Sequence, residues 1–541
     1  MSIGIRKSLG VLLSQLPALR IGCNRVTRRN QIRGGHIAAR PALLCFLVLN
    51  SVAGCAWLSA GYGRSKVLTG AQLPVVEHQL ANGMRWLVLP RPGAPTVSFV
   101  VQFRVGAVNE AQGQTGIAHF LEHLLFKGTE TLGTRDSSAE RALFLRMDAL
   151  QDSILTLEAR GDTTAVPLLR DGIDSLETEA RAYVLPNEFE RILSANGGRG
   201  LNASTDWEST TYFVEMPANR AELWFLLESD RMANPVFREF YTERDIVAEE
   251  RRQRVDTNPV GLLFEAHMAA AFTVHPYGRP VVGYMSDIQR FRRPDVEAYF
   301  RSYYGPRNAV VTVVGDIDPD QILAWADEYF EDLPAGEIPE PVLLREPGQS
   351  EERRVEIDLA VSPQVRMGWP VVETSHPDAA ALTVLSRLLT GGLTSRLHRR
   401  LVIEDQVATG VTSSMGPGVR FPAIFAIDAT PRSPNTTADI EAAVYAELDS
   451  LRQTPPSERE LQRIRNQLEA GEIRRLASNF GLAFQLSASA SNFGDWRTTF
   501  GFTDRLARVE AEDVRRVTER FFTPEHRTVA TLVRPDSVAG R

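Results

Sequence analysis

A segment near the middle of the chain recurs close to its C-terminal end. Residues 295–306 begin with Asp-Val and end with an aromatic pair, one further residue and Pro, and residues 513–524 repeat this order 218 positions later. A β-rich run follows each copy, over 310–314 and over 528–532. Because the same helix, turn and strand close both halves, and 541 residues are enough for two domains, we predict two related domains in tandem.

Each half alternates β-forming runs with long helical stretches. Residues 97–105 are typical of the first kind and residues 458–477 of the second. This alternation predicts α+β domains, each a largely antiparallel sheet packed with helices. We place the first domain at 69–335 and the second at 353–541, joined over 336–352 by a linker rich in Pro, Gly and charge.

The first half contains a motif with metal-binding spacing, His-Phe-Leu-Glu-His at 119–123. On a helix, His119 and His123 lie one turn apart on the same face, so both imidazoles can bind one ion. Glu122 projects towards that face and can reach a water on the metal, as in hydrolytic zinc sites, and the order is that of the inverzincin peptidases. The surrounding residues are apolar, so burying these side chains is costly unless a metal or hydrogen bonds satisfy them. The alternative is a helix whose histidines only pack or cap.

A tetrahedral catalytic zinc needs a third protein ligand, and residues 243–250 can supply it. This segment has a helical pattern, on which Glu243 and Glu250 lie two turns apart along one stripe while Glu249 lies off it. We predict Glu250 as the third ligand, with Glu249 as the fallback. Glu243 would be a supporting carboxylate that orients a ligand or a water. The alternative is a solvated acidic face among neighbouring arginines.

The pentad and the later Glu-x6-Glu resemble the M16 (pitrilysin-like) zinc peptidases, which include insulin-degrading enzyme and the mitochondrial processing peptidase. The resemblance extends over residues 99–133, 201–213, 224–259 and 275–315. It implies one zinc ion per chain on His119, His123 and Glu250, with Glu122 as the catalytic base and Glu243 in support. It also implies that the two domains face each other like a clam shell with the zinc inside.

The run Leu-Asn-Ala-Ser-Thr at 201–205 resembles the family's edge strand, beside which the substrate backbone adds as a further strand. The resemblance implies that Asn202, Ala203 and Ser204 bind substrate. In this mode, main-chain hydrogen bonds give affinity and side-chain pockets give preference. An ordinary strand of the sheet is an equally good interpretation.

His123 and Glu250 are 127 positions apart, which is more than the family's usual spacing. The excess lies around residues 137–187, where two apolar runs keep helical spacing on either side of a Gly-Asp pair at 161–162. We predict a helical hairpin inserted into the first domain. It would cover the site, bind a partner, or be decoration, which is the commonest fate of an insertion.

Active members of the family carry an Arg and a Tyr in the second domain, which stabilise the substrate carbonyl as it is attacked. Alignment through the Gly-Gly-Leu-Thr-Ser-Arg-Leu run at 391–397 places Val402 and Thr409 at those positions. Neither side chain can donate as the expected pair does. Either Arg399 or Arg400 substitutes, or a separate M16-like partner subunit supplies the pair, as in heterodimeric members. We favour the partner subunit.

Residues 1–68 have the layout of a targeting segment. No acidic residue precedes Glu77, and an Arg-rich stretch is followed by the uncharged, apolar residues 41–60, the order found in export signals. Val-Ala-Gly-Cys at 52–55 resembles the bacterial lipobox, which implies lipid attachment at Cys55 and anchoring to a membrane of the cell envelope. A plain signal peptide, an uncleaved anchor helix and a mitochondrial presequence are the alternatives.

The rest of the chain is acidic. The first 76 residues hold ten of the 60 Lys and Arg and none of the 67 Asp and Glu, which leaves a net charge of −17 on the remainder. An acidic body without a basic stripe argues against nucleic-acid binding. All three cysteines lie in the targeting segment, so any metal in the folded body must be held by His and carboxylates.

The sequence therefore predicts an exported zinc endopeptidase that hydrolyses peptides or small unfolded proteins with metal-activated water. Glu122 would take a proton from the water and pass it to the leaving amine. The competing hypothesis is a non-catalytic M16-like subunit that binds peptides or scaffolds a membrane complex. The complete metal set favours the enzyme, and the missing Arg-Tyr pair favours dependence on a partner.

Overall fold

The computed structural model describes residues 73–535. The targeting segment and its lipobox-like Cys55 lie outside these residues. Within the described range, no helix combines the length and the apolar composition needed to cross a membrane.

The first sheet consists of β1 Val76–Gln79, β2 Arg85–Pro90, β3 Thr96–Phe103, β4 Arg199–Thr205, β5 Thr210–Pro217 and β6 Ala309–Gly315. Its strand order is β1-β2-β6-β3-β5-β4, and all neighbours are antiparallel except β2 and β6. The central strands β3 and β6 are almost wholly buried because helices cover both faces of the sheet. Their continuous Val-rich sequences follow from this double burial.

The second sheet consists of β7 Arg353–Asp358, β8 Gln364–Val371, β9 Ala408–Gly416, β10 Ala423–Pro431 and β11 Thr528–Val533. Its order is β7-β11-β8-β10-β9, and again one neighbouring pair, β7 with β11, is parallel. This order matches β2-β6-β3-β5-β4 strand for strand. The predicted α+β class and the two homologous domains are confirmed.

Helices pack on both sheets. In the first half they are α1 Ile117–Leu124, α2 Ser137–Ala159, α3 Val166–Ala180, α4 Glu188–Ala195, α5 Ala221–Ala233, α6 Phe240–Arg251, α7 Pro259–Ala271, α8 Met285–Ile288, α9 Arg293–Tyr303 and α10 Pro319–Phe330. In the second half they are α11 Ala379–Thr390, α12 Thr437–Gln453, α13 Glu458–Ala477, α14 Asn479–Phe493, α15 Thr498–Ala507 and α16 Ala511–Phe521.

Each half of the chain places one helix on the sheet of the other half. Helix α14 comes from the second half, yet its buried Leu482 and Leu486 pack on the first sheet. Conversely, α7 packs its buried Leu263 on β11 of the second sheet, and His267 Nε2 on the same helix lies 3.2 Å from the carbonyl oxygen of Thr528. Burying one such leucine contributes about 1.5–3 kcal/mol, so this exchange ties the two domains firmly together.

The helical hairpin expected around 137–187 is present as α2 and α3. Asp136 begins it, because its carboxylate accepts hydrogen bonds from two N–H groups in the first turn of α2. The hairpin buries an apolar stripe formed by Leu143, Phe144, Met147, Ile154, Ile173 and Leu176.

A buried ion pair fixes the base of this hairpin. Glu140 on α2 and Arg238 just before α6 are both fully buried, with 2.9 Å between Arg238 Nε and a Glu140 carboxylate oxygen. The Arg238 guanidinium also donates to the carbonyl oxygens of Lys127, Thr129 and Leu132. The inserted hairpin is thereby joined to the loop that follows helix α1.

Candidate metal centre

The His-Phe-Leu-Glu-His motif lies on α1, which is buried as its apolar sequence requires. The helix follows Gly116, whose φ of +89° is in the left-handed region, and a Cβ there would lie 2.6 Å from the carbonyl oxygen of Val282. The buried Glu110 accepts hydrogen bonds from the N–H groups of Gly116 (2.9 Å) and Ala118 (3.0 Å), which satisfies two donors at the helix start. Burial raises the pKa of Glu110 to about 8, although these hydrogen bonds oppose the shift.

The structure brings His119, His123 and Glu250 together. Glu250 Oε2 lies 3.5 Å from His119 Nε2 and 3.6 Å from His123 Nε2, and one ligand atom from each residue lies within 4.8 Å of the others. In a tetrahedral zinc site with bonds of about 2.0–2.2 Å, ligand atoms are about 3.3–3.6 Å apart. Both contacts to Glu250 have this spacing, so the three side chains fit one zinc ion.

The two carboxylate oxygens of Glu250 have different surroundings. Oε1 lies 2.5 Å from Arg254 Nη2, whereas Oε2 is buried and has no hydrogen-bond partner among residues 73–535. An unsatisfied buried oxygen is costly, and a cation between it and the two imidazoles would satisfy it. Glu249, the fallback ligand, is exposed and lies 2.5 Å from Arg252, so the structure does not bring it to the cluster.

The pKa values of the two histidines shift in opposite directions. Burial lowers the pKa of His119 to about 3, and the neighbouring charges of His123 and Arg254 act in the same direction. His119 is therefore neutral at physiological pH, the form in which imidazole binds a metal. Burial also lowers the pKa of His123, but the hydrogen bond and charge of Glu243 outweigh it and raise that pKa on balance. Any proton that His123 carries on Nε2 would be released when a metal binds there.

Glu243 supports His123 on the side away from Glu250. Its Oε2 lies 3.2 Å from His123 Nδ1, and its Oε1 lies 2.6 Å from Lys127 Nζ. Burial raises the pKa of Glu243, but the hydrogen bonds from His123 and Lys127 lower it on balance. The ionised carboxylate holds the His123 proton on Nδ1 and leaves Nε2 to face Glu250, which is the usual arrangement around a metal-binding histidine.

Glu122 is held by the end of strand β4. Its Oε2 accepts a hydrogen bond of 2.5 Å from Thr205 Oγ1, the one hydrogen bond that its carboxylate makes within the described range. Burial raises the pKa of Glu122, while the Thr205 hydrogen bond and the His123 charge oppose the shift. A raised pKa lies closer to neutral pH, which makes this carboxylate a more efficient proton acceptor there.

The three predicted substrate-binding residues lie on β4, at the edge of the first sheet. β4 pairs with β5 on one side, and its other edge has no strand partner among residues 73–535. Asn202 and Ser204 are exposed while Ala203 between them is buried, as the alternation of a strand requires. Because Thr205 on the same strand contacts Glu122, the unpaired edge ends beside the histidine cluster.

Three residues of the site had no predicted role. Lys127 and Arg254 each follow a predicted site residue by four positions, so the i, i+4 spacing of His123 with Lys127 and of Glu250 with Arg254 could have indicated them. Thr205 lies within the strand motif but has no local signal, because its partner Glu122 is 83 positions away.

The positions expected to carry Arg and Tyr lie in the second domain. Val402 packs against that domain's apolar core, and Thr409 on β9 donates its hydroxyl to the carbonyl oxygen of Thr430. The two candidate substitutes are engaged locally: Arg399 lies 3.4 Å from Glu404, and Arg400 lies 3.5 Å from both Asp405 and Glu447. Neither arginine forms an ion pair with the histidine-bearing cluster.

The turn between β4 and β5 is bonded to the second domain through the buried Glu208. Its carboxylate accepts hydrogen bonds from the N–H groups of Val419 (2.8 Å) and Arg420 (2.9 Å) and from the hydroxyl of Tyr277. His275, which begins the His-Pro-Tyr run, accepts from the N–H of Tyr277 through Nδ1. This hydrogen bond fixes the backbone at the start of the His-Pro-Tyr run.

Two family models match the chain. Residues 87–142 and 179–284 match the model described as Insulinase (Peptidase family M16), and residues 290–468 match the model described as Peptidase M16 inactive domain. The interruption of the first match between 142 and 179 lies within the inserted hairpin α2–α3.

Individual relatives agree with the family models. The chain is 28% identical over 462 residues to the zinc protease PqqE of Helicobacter pylori, which covers 84% of this chain and 91% of that protein. It is 22% identical to a probable mitochondrial-processing peptidase subunit beta of Arabidopsis thaliana, over 82% of this chain and 75% of that protein. The crystal structure of a protease from Helicobacter pylori matches with a TM-score of 0.71 and 25% identity, over 85% of this chain and 100% of that chain.

Proposed function

Because the chain belongs to the M16 peptidase family, we propose that it is a zinc-dependent endopeptidase that hydrolyses peptides or small unfolded proteins. One observation carries the proposal. His119, His123 and Glu250 converge with the spacing of zinc ligands around a buried carboxylate oxygen that has no other partner within residues 73–535. A solvated acidic face would not bury that oxygen against two imidazoles.

In this proposal His119, His123 and Glu250 hold one zinc ion per chain, which supplies a Lewis acid that lowers the pKa of water and polarises a carbonyl. Glu243 fixes the orientation and tautomer of His123. Arg254 engages Glu250 Oε1, so that Oε2 alone faces the histidines.

Glu122 is the proton-transfer residue. It accepts a proton from the attacking water and returns it to the nitrogen of the leaving amine, so the carboxylate is restored after each turnover. Thr205 holds the carboxylate in place for both transfers. The raised pKa of Glu122 suits a group that must take and give one proton at neutral pH.

Substrate binding is assigned to the open edge of β4. An extended peptide would add there as a further strand, with main-chain hydrogen bonds to Asn202, Ala203 and Ser204. This mode requires an extended backbone, so it selects flexible peptides and unfolded segments over folded proteins. The end of β4 at Thr205 would lead the bound peptide towards Glu122.

The missing Arg-Tyr pair suggests that a partner subunit completes the enzyme. Val402 and Thr409 occupy the expected positions, and the neighbouring arginines pair with carboxylates of their own domain. A related protein is named as the beta subunit of a processing peptidase, which implies a second subunit there. We propose that an M16-like partner subunit supplies the Arg and Tyr side chains that this chain lacks.

The same absence supports the second candidate function, a non-catalytic M16 subunit that binds peptides or acts as a scaffold. Such a protein would keep the edge strand in use but turn over no substrate, with or without a partner. The two functions therefore predict different results when Glu122 is changed. The enzyme would lose peptide cleavage, whereas the non-catalytic subunit has no cleavage to lose.

The targeting segment suggests export to the cell envelope, with lipid attachment at Cys55 as the means of anchoring. A mitochondrial location is the alternative, since the first residues are also basic and free of acidic side chains. Mass spectrometry of the mature N-terminus would distinguish them, because a lipoprotein begins at an acylated Cys55.

Cleavage of a quenched fluorescent peptide library tests the proposed activity. The wild-type protein and E122Q would be compared at equal zinc content, each alone and together with any subunit that co-purifies from native membranes. Cleavage by the wild type that E122Q lacks is expected in at least one of these states. Zinc-loaded wild type that cleaves no peptide in either state would favour the non-catalytic function.

A further inference from the structure

A pocket of about 360 Å³ lies where the two domains meet, away from the histidine cluster. The first domain contributes the starts of β2 and β6 and the residue after β3, and the second contributes the C-terminal end of α14 and the loop between β9 and β10. The linker residues 338–342 form a further part of its lining. None of the predicted site residues lines this pocket.

The lining of this interdomain pocket is strongly basic. It includes Arg85, Arg104, Arg307 and Arg420 but only one carboxylate, that of Glu340. None of the four arginines has a nitrogen within 4.0 Å of Glu340. This excess of positive charge stands out in a chain whose body carries a net charge of −17.

Two of the arginines are partly satisfied by protein groups. Arg85 donates to the carbonyl oxygen of Gly494 at 3.0 Å, and Arg420 Nε lies 3.8 Å from a carboxylate oxygen of Glu208. Arg104 and Arg307 have no carboxylate within 4.0 Å among residues 73–535. Both side chains are exposed, so their guanidinium groups are open to a ligand. Partial burial and the charge of Arg420 lower the pKa of Arg104, and the charge of Glu208 opposes this shift.

Two residues of the lining, Ser491 and Arg420, each contain a buried polar atom without a hydrogen-bond partner within residues 73–535. Ser491 is only 5% exposed, and its hydroxyl has no hydrogen-bond partner within residues 73–535. The buried Nε of Arg420 likewise makes no hydrogen bond there. Both atoms can donate a hydrogen bond, and an unpaired buried donor is costly. Because neither atom is exposed to the pocket, the arginine guanidinium groups of the lining are the groups that a ligand would contact.

From this geometry we propose that the interdomain pocket binds a small organic anion carrying at least two carboxylate or phosphate groups. Unopposed guanidinium groups recognise both kinds of oxyanion through paired N–H donors. The volume is in the range of small-molecule sites and exceeds what a single inorganic ion needs. Phe421 and Val342 add an apolar wall for the non-polar part of the ligand.

Occupancy would join the two domains. Arg104 and Arg307 belong to the first domain and Arg420 to the second, so one ligand would contact both. A ligand that binds the folded chain and not the unfolded one stabilises the folded chain by RT ln(1 + c/Kd), where c is the concentration of free ligand, so the unfolding temperature rises with the logarithm of its concentration above Kd. Calorimetry and the unfolding temperature therefore give two readouts of ligand binding, and neither readout depends on peptidase activity.

Isothermal titration calorimetry at constant ionic strength tests the proposal, with pyrophosphate and citrate as probes. The proteins are the zinc-loaded wild type, R104Q/R307Q and a control, R141Q/R160Q. Arg141 and Arg160 are exposed on the inserted hairpin and have no ion-pair partner in the described range, so the control changes the charge equally. Any binding of a probe to zinc would be the same in all three proteins.

The expected result is saturable binding of one probe molecule per chain by the wild type and the control, weakened by about tenfold or more in R104Q/R307Q. Tighter binding of pyrophosphate identifies a phosphate ligand, and tighter binding of citrate a carboxylate ligand. Equal affinity of wild type and R104Q/R307Q, or no saturable binding of either probe, overturns the proposal. Should R104Q/R307Q fail to fold, R104K/R307K keeps charge but loses the planar fork, and it must also bind more weakly.

Discussion

Replacing Thr205 by Val tests whether the position of Glu122 limits the chemical step. The Thr205 hydroxyl lies 2.5 Å from Glu122 Oε2 and is the one hydrogen-bond partner of that carboxylate among residues 73–535. Valine keeps the β-branch and the volume of the side chain but removes the donor. Thr205→Ser is the matched control, because it keeps the hydroxyl and loses only a methyl group.

A hydrogen bond to a charged group contributes about 1.5–3 kcal/mol. If the whole of this were lost in the transition state, kcat would fall by about 10- to 150-fold, since each 1.36 kcal/mol is a factor of ten. The loss should be in kcat with little change in KM, because Thr205 contacts the proton acceptor through its side chain. Zinc content should not change, because Thr205 contacts none of the three proposed ligands.

The assay is steady-state cleavage of a fluorogenic peptide by whichever form is active, the chain alone or with its partner subunit. Zinc content and unfolding temperature are measured for each variant in parallel. We expect T205V to lose at least about tenfold in kcat while T205S stays within a few-fold of the wild type. Equal kcat for T205V and the wild type would refute the positioning role, and so would equal losses in T205V and T205S.

Three further predictions concern groups around the site. Lys127→Met removes the cation that holds Glu243, so zinc affinity should fall by about 10- to 100-fold, as competition with a fluorescent chelator would measure. Glu140→Gln leaves the buried Arg238 without a counter-charge, so the free energy of unfolding should fall by about 3–5 kcal/mol in urea denaturation. Burial raises the pKa of Glu110 to about 8. Between about pH 4.5 and pH 8 the folded chain therefore keeps a proton on Glu110 that the unfolded chain releases. The free energy of unfolding should fall in this range by about 1.4 kcal/mol for each unit of rising pH. Glu110→Gln should remove this slope, and an unchanged slope would contradict the assignment.

The local part of the site could be predicted from the sequence because its residues are close along the chain. His119, Glu122 and His123 lie within one and a half turns of a helix, so their common face follows from helical geometry alone. The same geometry predicts that Glu250 and Glu249 project in different directions, and in the structure Glu250 faces the histidines while Glu249 faces solvent.

Contacts between distant segments could not be predicted in this way. The joining of α1 to α6 across 127 positions was predicted from the need for a third metal ligand and from resemblance to a family, because spacing says nothing about which helices meet. Thr205 was missed for the same reason, and so was Glu208, whose partners lie in both domains. Thr205 ends a strand and Glu208 lies in a turn, and at neither position does periodicity indicate the partner of the side chain.

In the overall fold, too, features marked by local sequence could be predicted and contacts between distant segments could not. The repeat at 295–306 and 513–524 predicted two related domains, and both sheets share one strand order. The exchange of α7 and α14 between the sheets had no signal in the sequence. An apolar helix face such as that of Leu482 and Leu486 shows that the helix is buried, but not against which sheet.

The central claim is that one zinc ion is held by His119, His123 and Glu250. Zinc content per chain, measured by inductively coupled plasma mass spectrometry on the wild type, E250Q and E249Q, tests it most directly. The adjacent, exposed Glu249 makes a matched control of equal charge change. One zinc per chain in the wild type and E249Q, with zinc lost from E250Q, is the predicted result. Full zinc occupancy in E250Q, or loss in E249Q instead, would contradict the account.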